Sequence, residues 1–166
     1  GNAWLGEQVN TLKEALRNNP QDRRMILTSW VPENLSKLSL PCCHHTYQFY
    51  VEDDNVLHMS WSQRSVDTMV GLPSDMVYAA TWLMSIANEF GFEVGDVTMF
   101  LGDCHIYEEH FEAANEYCDV VDSNSYPTPV VNLVCEPGKD FLTFEPSDIK
   151  IESYEHHDPI KLVLKA

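Results

Sequence analysis

The sequence predicts an α+β domain in which helices pack against a sheet. Two segments, residues 6–18 and 76–90, carry apolar residues at helical spacing. Between them lie two strand-like runs of alternating apolar and aromatic residues, 46–52 and 56–62, joined by the polar turn 53–55, which suits a hairpin. A chain of 166 residues with 44% hydrophobic residues can bury one sizeable core. We therefore expect one domain over the whole chain.

The elements before the hairpin follow from local signals. The first helix should stop at Asn19 and Pro20, because proline does not continue a helix. The apolar run over residues 25–30 predicts a buried strand, and residues 32–40 predict a loop that leads into the hairpin.

The second helix has a capping signal at each end. Ser74 or Asp75 is a candidate amino cap, and Gly91 is a typical carboxyl cap. Because this helix is apolar on most of its circumference, we expect it to be central and buried. Three shorter elements should follow, a strand, a helix and a strand, over residues 97–101, 106–117 and 130–134.

Composition excludes several classes of partner. The net charge of -16 argues against nucleic acid, because binding a phosphate backbone needs clustered lysine and arginine. No apolar run approaches the roughly 20 residues of a membrane span, and no basic-then-apolar leader opens the chain, so we expect no membrane partner and a cytoplasmic location. Five cysteines at irregular spacings fit a reducing compartment rather than a disulfide framework.

A cysteine pair and a histidine pair stand just before the hairpin. The order Pro41, Cys42, Cys43, His44, His45 predicts a turn that delivers one thiol to the mouth of a strand. A thiolate adds reversibly to electron-poor carbons, so we take Cys43 as the candidate nucleophile. For an isolated cysteine, an inert buried thiol is the alternative.

The same four residues also have the composition of a zinc site. Adjacent side chains on an extended backbone point to opposite faces, whereas zinc sites use separated pairs such as Cys-x-x-Cys. We therefore expect no metal here.

Five blocks of the sequence, in order along the chain, resemble the thymidylate synthase family. They are Asp22-Arg23-Arg24; Leu40-Pro41-Cys42-Cys43-His44 with Tyr47-Gln48-Phe49-Tyr50-Val51; Gln63-Arg64-Ser65-Val66-Asp67; Gly71-Leu72-Pro73; and Gly102-Asp103-Cys104-His105-Ile106-Tyr107. The resemblance implies a mixed twisted sheet packed with helices, dimerising through a sheet face. It also implies one-carbon transfer from 5,10-methylenetetrahydrofolate to C5 of a pyrimidine nucleoside monophosphate through a covalent Cys43 adduct.

The resemblance extends to the first residues of the chain. Gly1 and Trp4 are in register with a family segment that reads Tyr-Gly-x-x-Trp. We therefore expect a catalytic domain over residues 1–166 that lacks the family's amino-terminal third, as a fragment of a longer protein. The acid/base glutamate and the tryptophan of the family belong to that third.

The resemblance implies phosphate-binding roles for three arginines and a serine. Arg64 and Ser65 would grip the nucleotide phosphate, and Arg64 beside Cys43 would favour the thiolate. Arg23 and Arg24 would reach the phosphate held by the other subunit of an obligate homodimer. Without the resemblance, these two arginines would be interpreted as solvated charges.

Four further residues acquire roles in the same way. His105 and Tyr107 would hold the sugar 3′-hydroxyl, Asp67 would bind the pterin of the folate, and Gly71 would allow its close approach. Taken alone, the first two would be a satisfied structural pair and Asp67 an exposed charge at a strand end. The resemblance also implies a catalytic role for His44 and a nucleotide-binding role for Gln63.

Asp75 departs from the family pattern. Thymidylate synthases carry asparagine at this position, and its amide donates to the uracil O4 and accepts from N3–H. Cytosine presents the reverse pattern, an amine at C4 and an acceptor at N3. A carboxyl group can accept from the amine and share a proton with N3, whereas an ionised aspartate would set acceptor against acceptor at uracil O4. Asp75 therefore predicts selection of cytosine, with a plain helix cap as the alternative.

Cytosine selection favours the deoxycytidylate hydroxymethylases, phage enzymes of this family that make 5-hydroxymethyl-dCMP. In that branch water attacks the exocyclic carbon, and Ser74, in place of the usual phenylalanine, could admit water. A phage enzyme would act in the host cytoplasm. Two alternatives stay open: a thymidylate synthase that methylates dUMP to dTMP and tolerates Asp75, and an inactive family member that serves as an interaction protein.

Overall fold

A computed structural model describes residues 2–163 of the chain, with side chains from residue 6 onward. Gly1 and the side chain of Trp4, which support the predicted register with the family segment, lie outside these described residues. The helices and strands, in chain order, are α1 (Asn2–Asn18), β1 (Ile26–Thr28), β2 (His44–Val51), β3 (Val56–Asp67), α2 (Gly71–Phe90), β4 (Glu93–His105), α3 (Phe111–Ser123), β5 (Val130–Leu133) and β6 (Ile149–Glu152). Short 3-10 turns cover Pro32–Lys37, Glu108–His110, Phe141–Thr143 and Pro146–Asp148.

The main sheet has the strand order β1-β2-β3-β4 and is mixed. Strands β1 and β2, and β2 and β3, pair antiparallel, whereas β3 and β4 pair in parallel. Strands β5 and β6 form a separate antiparallel pair. The α+β class with a mixed sheet is therefore confirmed.

Helix α2 joins the two parallel strands. A parallel pair needs such a crossover, because the chain must return to the starting edge of the sheet. The carboxyl ends of β3 and β4 then lie at one edge, where Asp67 is in register with His105. The first turn of α2 follows directly from that edge.

The core lies between the sheet and the helices α1 and α2. Residues of β2 and β3 alternate between buried and accessible, so every second side chain packs inward. Tyr47 is in register with Trp61, and their rings lie 4.8 Å apart in an edge-to-face contact. The main buried residues are Leu12, Leu16, Tyr47, Phe49, Val51, Leu57, Met59, Trp61, Ala79, Leu83, Ile86 and Ala87.

The start of α2 differs from the prediction. The helix begins at Gly71, so Ser74 and Asp75 lie inside it and the capping role expected for them is wrong. Pro73 is tolerated because backbone N–H groups of the first turn have no partner within a helix. The predicted end is confirmed, since Gly91 adopts a left-handed φ of 75°.

The expectation that α2 is a central, buried helix holds for one face only. Its inner face is buried, but Met76, Val77 and Tyr78 are 54 to 66% exposed in the described part of the chain. The apolar composition of this helix therefore predicts burial correctly for one face only.

Three further boundaries differ because of tertiary pairing. Strand β3 continues to Asp67 instead of stopping at residue 62, because its parallel pairing with β4 continues that far. The same pairing extends β4 over 13 residues and delays the following helix to Phe111. The strand expected at 130–134 is confirmed as β5, while its partner β6 was not predicted.

Within residues 2–163, no helix combines the length and the apolar character that crossing a bilayer requires.

Candidate functional site

Arg64 holds the loop that carries Cys43. The Arg64 backbone N–H donates to the Cys43 carbonyl at 2.8 Å, and its side chain donates to the carbonyls of Cys42 at 2.9 Å and Pro41 at 2.7 Å. Arg64 Nη2 also lies 3.7 Å from Cys43 Sγ. The expected side-by-side placement of Arg64 and Cys43 is present, and Cys43 is partly accessible, which does not fit an inert buried thiol.

His44 is held by Tyr47, which the sequence analysis did not single out. Burial raises the pKa of the Tyr47 phenol, and Tyr78 nearby adds to the effect, so the hydroxyl stays protonated. It hydrogen-bonds to His44 Nδ1, and the His44 ring packs 4.8 Å from that of Trp61. A hydroxyl at an inward strand position near the thiol was the available signal.

Asp75 belongs to a chain of buried and partly buried hydrogen bonds. Gln63 accepts from Trp61 Nε1 at 3.0 Å and donates through Nε2 to Asp75 Oδ2 at 2.8 Å and to the Ser65 carbonyl at 3.2 Å. Among the described residues, Asp75 Oδ1 has no hydrogen-bond partner. One oxygen of this carboxylate is therefore held and the other is available to a ligand.

Asp67 has one oxygen without a partner. Its Oδ1 accepts from the backbone N–H groups of Met69 at 2.9 Å and Val70 at 3.4 Å, which closes the turn between β3 and α2. Its Oδ2 is buried and unpaired within residues 2–163, a costly state unless a ligand supplies a donor. A Cβ on Gly71 would meet Asp67 Cβ at an ordinary contact distance of 3.8 Å, so Gly71 lies directly beside Asp67.

His105 and Tyr107 come together at the same edge. Their rings lie 5.0 Å apart and are perpendicular, and His105 is the last residue of β4, in register with Asp67. The His105 carbonyl also accepts from Thr68 N–H at 2.9 Å, which ties this end of β4 to the turn after β3.

A model of the thymidylate synthase family matches residues 5–166. The chain belongs to the thymidylate synthase family. Among solved structures, it is similar to the thermostable thymidylate synthase A from Bacillus subtilis, with 29% sequence identity and a TM-score of 0.85. The similarity covers 95% of this chain and 55% of that one, so the chain spans about half the length of that thymidylate synthase.

Most of the residues expected from the thymidylate synthase resemblance lie at one edge of the sheet. The parallel register of β3 and β4 and the start of α2 bring the polar ends of these elements together. The residues that lie at this edge are Cys43, His44, Gln63, Arg64, Ser65, Asp67, Gly71, Asp75, His105 and Tyr107.

Arg23 and Arg24 lie at the opposite end of the sheet from Cys43. The Met25 carbonyl accepts from Phe49 N–H, so the arginines stand near the carboxyl end of β2, whereas Cys43 precedes its amino end. At about 3.3 Å per residue, that separation along β2 is roughly 20 Å. Within one chain, these arginines do not join the Cys43 edge.

Arg24 is exposed and paired with a neighbouring acid. Its Nε and Nη2 donate to the Asp22 carboxylate at 2.9 and 3.1 Å. This hydrogen-bonded pair lowers the pKa of Asp22 and raises that of Arg24. The Arg24 side chain is 87% exposed, so most of the guanidinium is open to an approaching anion.

In the described part of the chain, no group of three or more His, Cys, Asp or Glu side chains is placed to hold a metal ion.

Proposed function

We propose that this chain, as part of a longer protein, catalyses folate-dependent transfer of a one-carbon unit to C5 of dCMP and yields 5-hydroxymethyl-dCMP. The observation that carries the proposal is Asp75, whose Oδ2 is held by Gln63 while Oδ1 has no partner among the described residues. An accepting oxygen at this position suits the exocyclic amine of cytosine and opposes the O4 of uracil.

Cys43 starts the chemistry in this proposal. The C5 carbon of a pyrimidine is a poor nucleophile, and addition of the Cys43 thiolate to C6 turns the ring into an enamine. C5 then attacks the methylene carbon supplied by 5,10-methylenetetrahydrofolate. Loss of the C5 proton and release of tetrahydrofolate leave an exocyclic methylene. Water adds to that carbon, and the C6–S bond breaks to return the thiolate.

The neighbouring residues position the two substrates. Arg64, already holding the Cys43 loop, and Ser65 bind the nucleotide phosphate. His105 and Tyr107 hold the 3′-hydroxyl of the sugar. The unpaired Asp67 Oδ2 accepts from a pterin N–H, which agrees with the folate that this family uses.

A homodimer explains the position of Arg23 and Arg24. The sheet face turned away from α2 exposes Ile26, Tyr50 and Phe100, each 45 to 59% accessible, as a surface for a second copy. Dimerising through that face, each subunit supplies both arginines to the phosphate of the other.

Mixing two inactive variants tests the shared site. A heterodimer of a Cys43→Ala chain and an Arg23→Ala/Arg24→Ala chain has one complete site, so activity should return when the two are mixed. If activity does not return in a mixture that is shown to exchange subunits, the two subunits do not share a site.

A second candidate is methylation of dUMP. It is favoured by the structural similarity to a protein named thymidylate synthase A. Incubation of the full-length protein with 5,10-methylenetetrahydrofolate and both dCMP and dUMP separates the candidates. We expect consumption of dCMP and a product that carries one oxygen more than the methylated nucleotide. Preferential consumption of dUMP contradicts the proposal.

Covalent trapping separates either activity from an inactive family member. With 5-fluoro-dCMP and the folate, mass spectrometry should detect an adduct of the wild-type chain that Cys43→Ser abolishes. The matched variant Cys42→Ser, whose thiol accepts a hydrogen bond from Ser29 Oγ at 3.4 Å, should still form it. Absence of the wild-type adduct together with absence of turnover favours the inactive member.

A further inference from the structure

The indole of Trp61 is held in one orientation by its neighbours. Trp61 is fully buried and packs against the rings of His44 and Tyr47, each at 4.8 Å, and of Tyr78 at 5.8 Å. A buried indole N–H needs an acceptor, and the Gln63 Oε1 at 3.0 Å provides it.

This contact determines which way the Gln63 amide faces. With Oε1 bound to Trp61, both N–H groups of Nε2 point away from it, one to the Ser65 carbonyl and one to Asp75 Oδ2. A flipped amide would set donor against donor at Trp61 and acceptor against acceptor at both other contacts. Because Gln63 is only 3% exposed, water cannot compensate for those losses.

Gln63 can therefore offer position 75 a donor and nothing else. An aspartate there gives one oxygen to Gln63 and keeps the other, an acceptor, for the ligand. An asparagine would have to give Gln63 its carbonyl oxygen, which leaves its NH2 group, a donor, for the ligand. The same clamp thus gives opposite polarity to the free end of the side chain, depending on which residue stands at 75.

We propose that Gln63, clamped by Trp61, is the positioning residue that sets the polarity of position 75 toward the pyrimidine and so determines the choice between cytosine and uracil nucleotides. This inference rests on the proposed function, since it concerns the site that reads the base. If residue 75 alone recognised the base, Gln63 would have no effect on selectivity. Here the selectivity of both aspartate and asparagine at position 75 depends on Gln63.

A double-mutant cycle tests the dependence. The variants are Asp75→Asn, Gln63→Met and the double variant, because methionine keeps the approximate volume of glutamine and removes its hydrogen bonds. The measured quantity is the ratio of kcat/KM for dCMP to that for dUMP, and the ratio of the two dissociation constants for any variant without turnover. Both ratios report selectivity, which a merely structural loss of activity does not move.

The proposal expects four results. The wild type prefers dCMP by at least about 100-fold, and Asp75→Asn reverses the preference to dUMP. In the double variant the asparagine amide turns freely, so the preference falls below about tenfold in either direction. Gln63→Met alone erodes the preference for dCMP.

Two outcomes overturn the proposal, and they are distinguishable. If the double variant prefers dUMP as strongly as Asp75→Asn does, Gln63 plays no part, and the proposed function stands. If the wild type has no preference for dCMP and Asp75→Asn changes nothing, the proposed function fails together with this inference.

A second pair of variants addresses the clamp when Gln63→Met does not fold. Trp61→Phe removes the indole N–H, so Trp61→Phe/Asp75→Asn should prefer dUMP less strongly than Asp75→Asn. Trp82→Phe is the matched control, because Trp82 packs on Tyr47 at 5.0 Å in the same aromatic cluster and makes no hydrogen bond to Gln63. An equal effect of Trp61→Phe and Trp82→Phe on the ratio overturns the role of the clamp.

Discussion

The two ends of helix α2 carry carboxylates in contrasting surroundings. Near its carboxyl end, Glu89 Oε1 is bound by Lys13 and Arg17, both at 3.1 Å, and its Oε2 accepts from the Phe141 backbone N–H at 2.9 Å. Near its amino end, Asp75 has one oxygen on Gln63 and the other unpaired among the described residues. Both carboxylates belong to one helix, yet only Glu89 has its hydrogen-bonding capacity used by the fold.

Unused acceptors concentrate at the amino end. Asp67, which closes the turn into α2, keeps a buried Oδ2 without a partner, the one carboxylate oxygen among the unpaired buried side-chain atoms of residues 2–163. A folded chain normally pairs its buried polar groups, so acceptors left over in one place indicate where a ligand completes the set. The carboxyl end of α2 has its acceptors paired within the fold, and the amino end keeps acceptors available for a ligand.

The largest effect on stability should come from the ion-pair cluster of Glu89 with Lys13 and Arg17. Lys13→Met leaves Glu89, whose side chain is 6% exposed, without its buried cation, so the free energy of unfolding should fall by about 3 kcal/mol. Arg17→Met is the matched control: it removes a bond to the same Glu89 oxygen, but Arg17 is 55% exposed, and the loss should stay below about 1 kcal/mol. Urea unfolding of both variants measures the difference. Equal losses would contradict the distinction.

The converse change, at the binding end, should affect ligand rather than fold. Asp67→Asn keeps an acceptor for the turn and removes the carboxylate charge, so the dissociation constant for tetrahydrofolate should rise about tenfold to 100-fold. The free energy of unfolding should change by less than about 1 kcal/mol, because the altered atom has no partner in the fold. Asp103→Asn, a 73% exposed carboxylate on the neighbouring strand, serves as control and should leave folate affinity unchanged in calorimetry. If the Asp67→Asn protein binds tetrahydrofolate with unaltered affinity, Asp67 Oδ2 does not contact the folate.

The smallest expected effect is on stability at acid pH, and it comes from the ion pair of Asp148 and Lys139. Asp148 accepts from Lys139 at 2.7 and 2.8 Å, and this hydrogen bond, with that from the Glu145 backbone N–H, lowers the pKa of Asp148 below its ordinary value of 3.8. A lowered folded-state pKa gives stability that is present above pH 3.8 and is lost as the pH falls through that lower value.

The stability of Asp148→Asn should therefore decline less steeply than that of the wild type in this acid range. The control is Glu152→Gln, since the Glu152–Lys150 pair is 46 to 61% exposed and should contribute little at any pH. Thermal melting between pH 5 and pH 2, values about one to two units on either side of the usual carboxyl range, measures the slopes. Parallel slopes for the wild type and Asp148→Asn would show that the pair does not contribute.

Local patterns predicted the parts of the fold that depend on neighbours in sequence. The apolar alternation of β2 and β3 predicted the hairpin, and Gly91 predicted the end of α2, because side-chain period and turn conformation are local properties. The start of α2 was predicted wrongly, since Ser74 and Asp75 have the composition of a cap. The parallel pairing of β3 with β4 up to Asp67 and the short turn that follows determine that start instead.

The site divides in the same way. The resemblance implied that Arg64 lies beside Cys43, and the hairpin explains this placement, because it brings its two outer ends together. The motifs did not predict Tyr47 on His44 or Trp61 on Gln63, because each depends on which way an aromatic side chain turns inside the packed core.

The sequence by itself determined the hairpin, the end of α2, the candidate thiol and the acid at position 75. Only the tertiary structure decided which oxygens of Asp75 and Glu89 are used, since their partners stand 12 residues away for Asp75 and 52 and 72 residues away for Glu89. A hydrogen bond depends on distance and direction between atoms, and for residues so far apart in the chain both are set by packing.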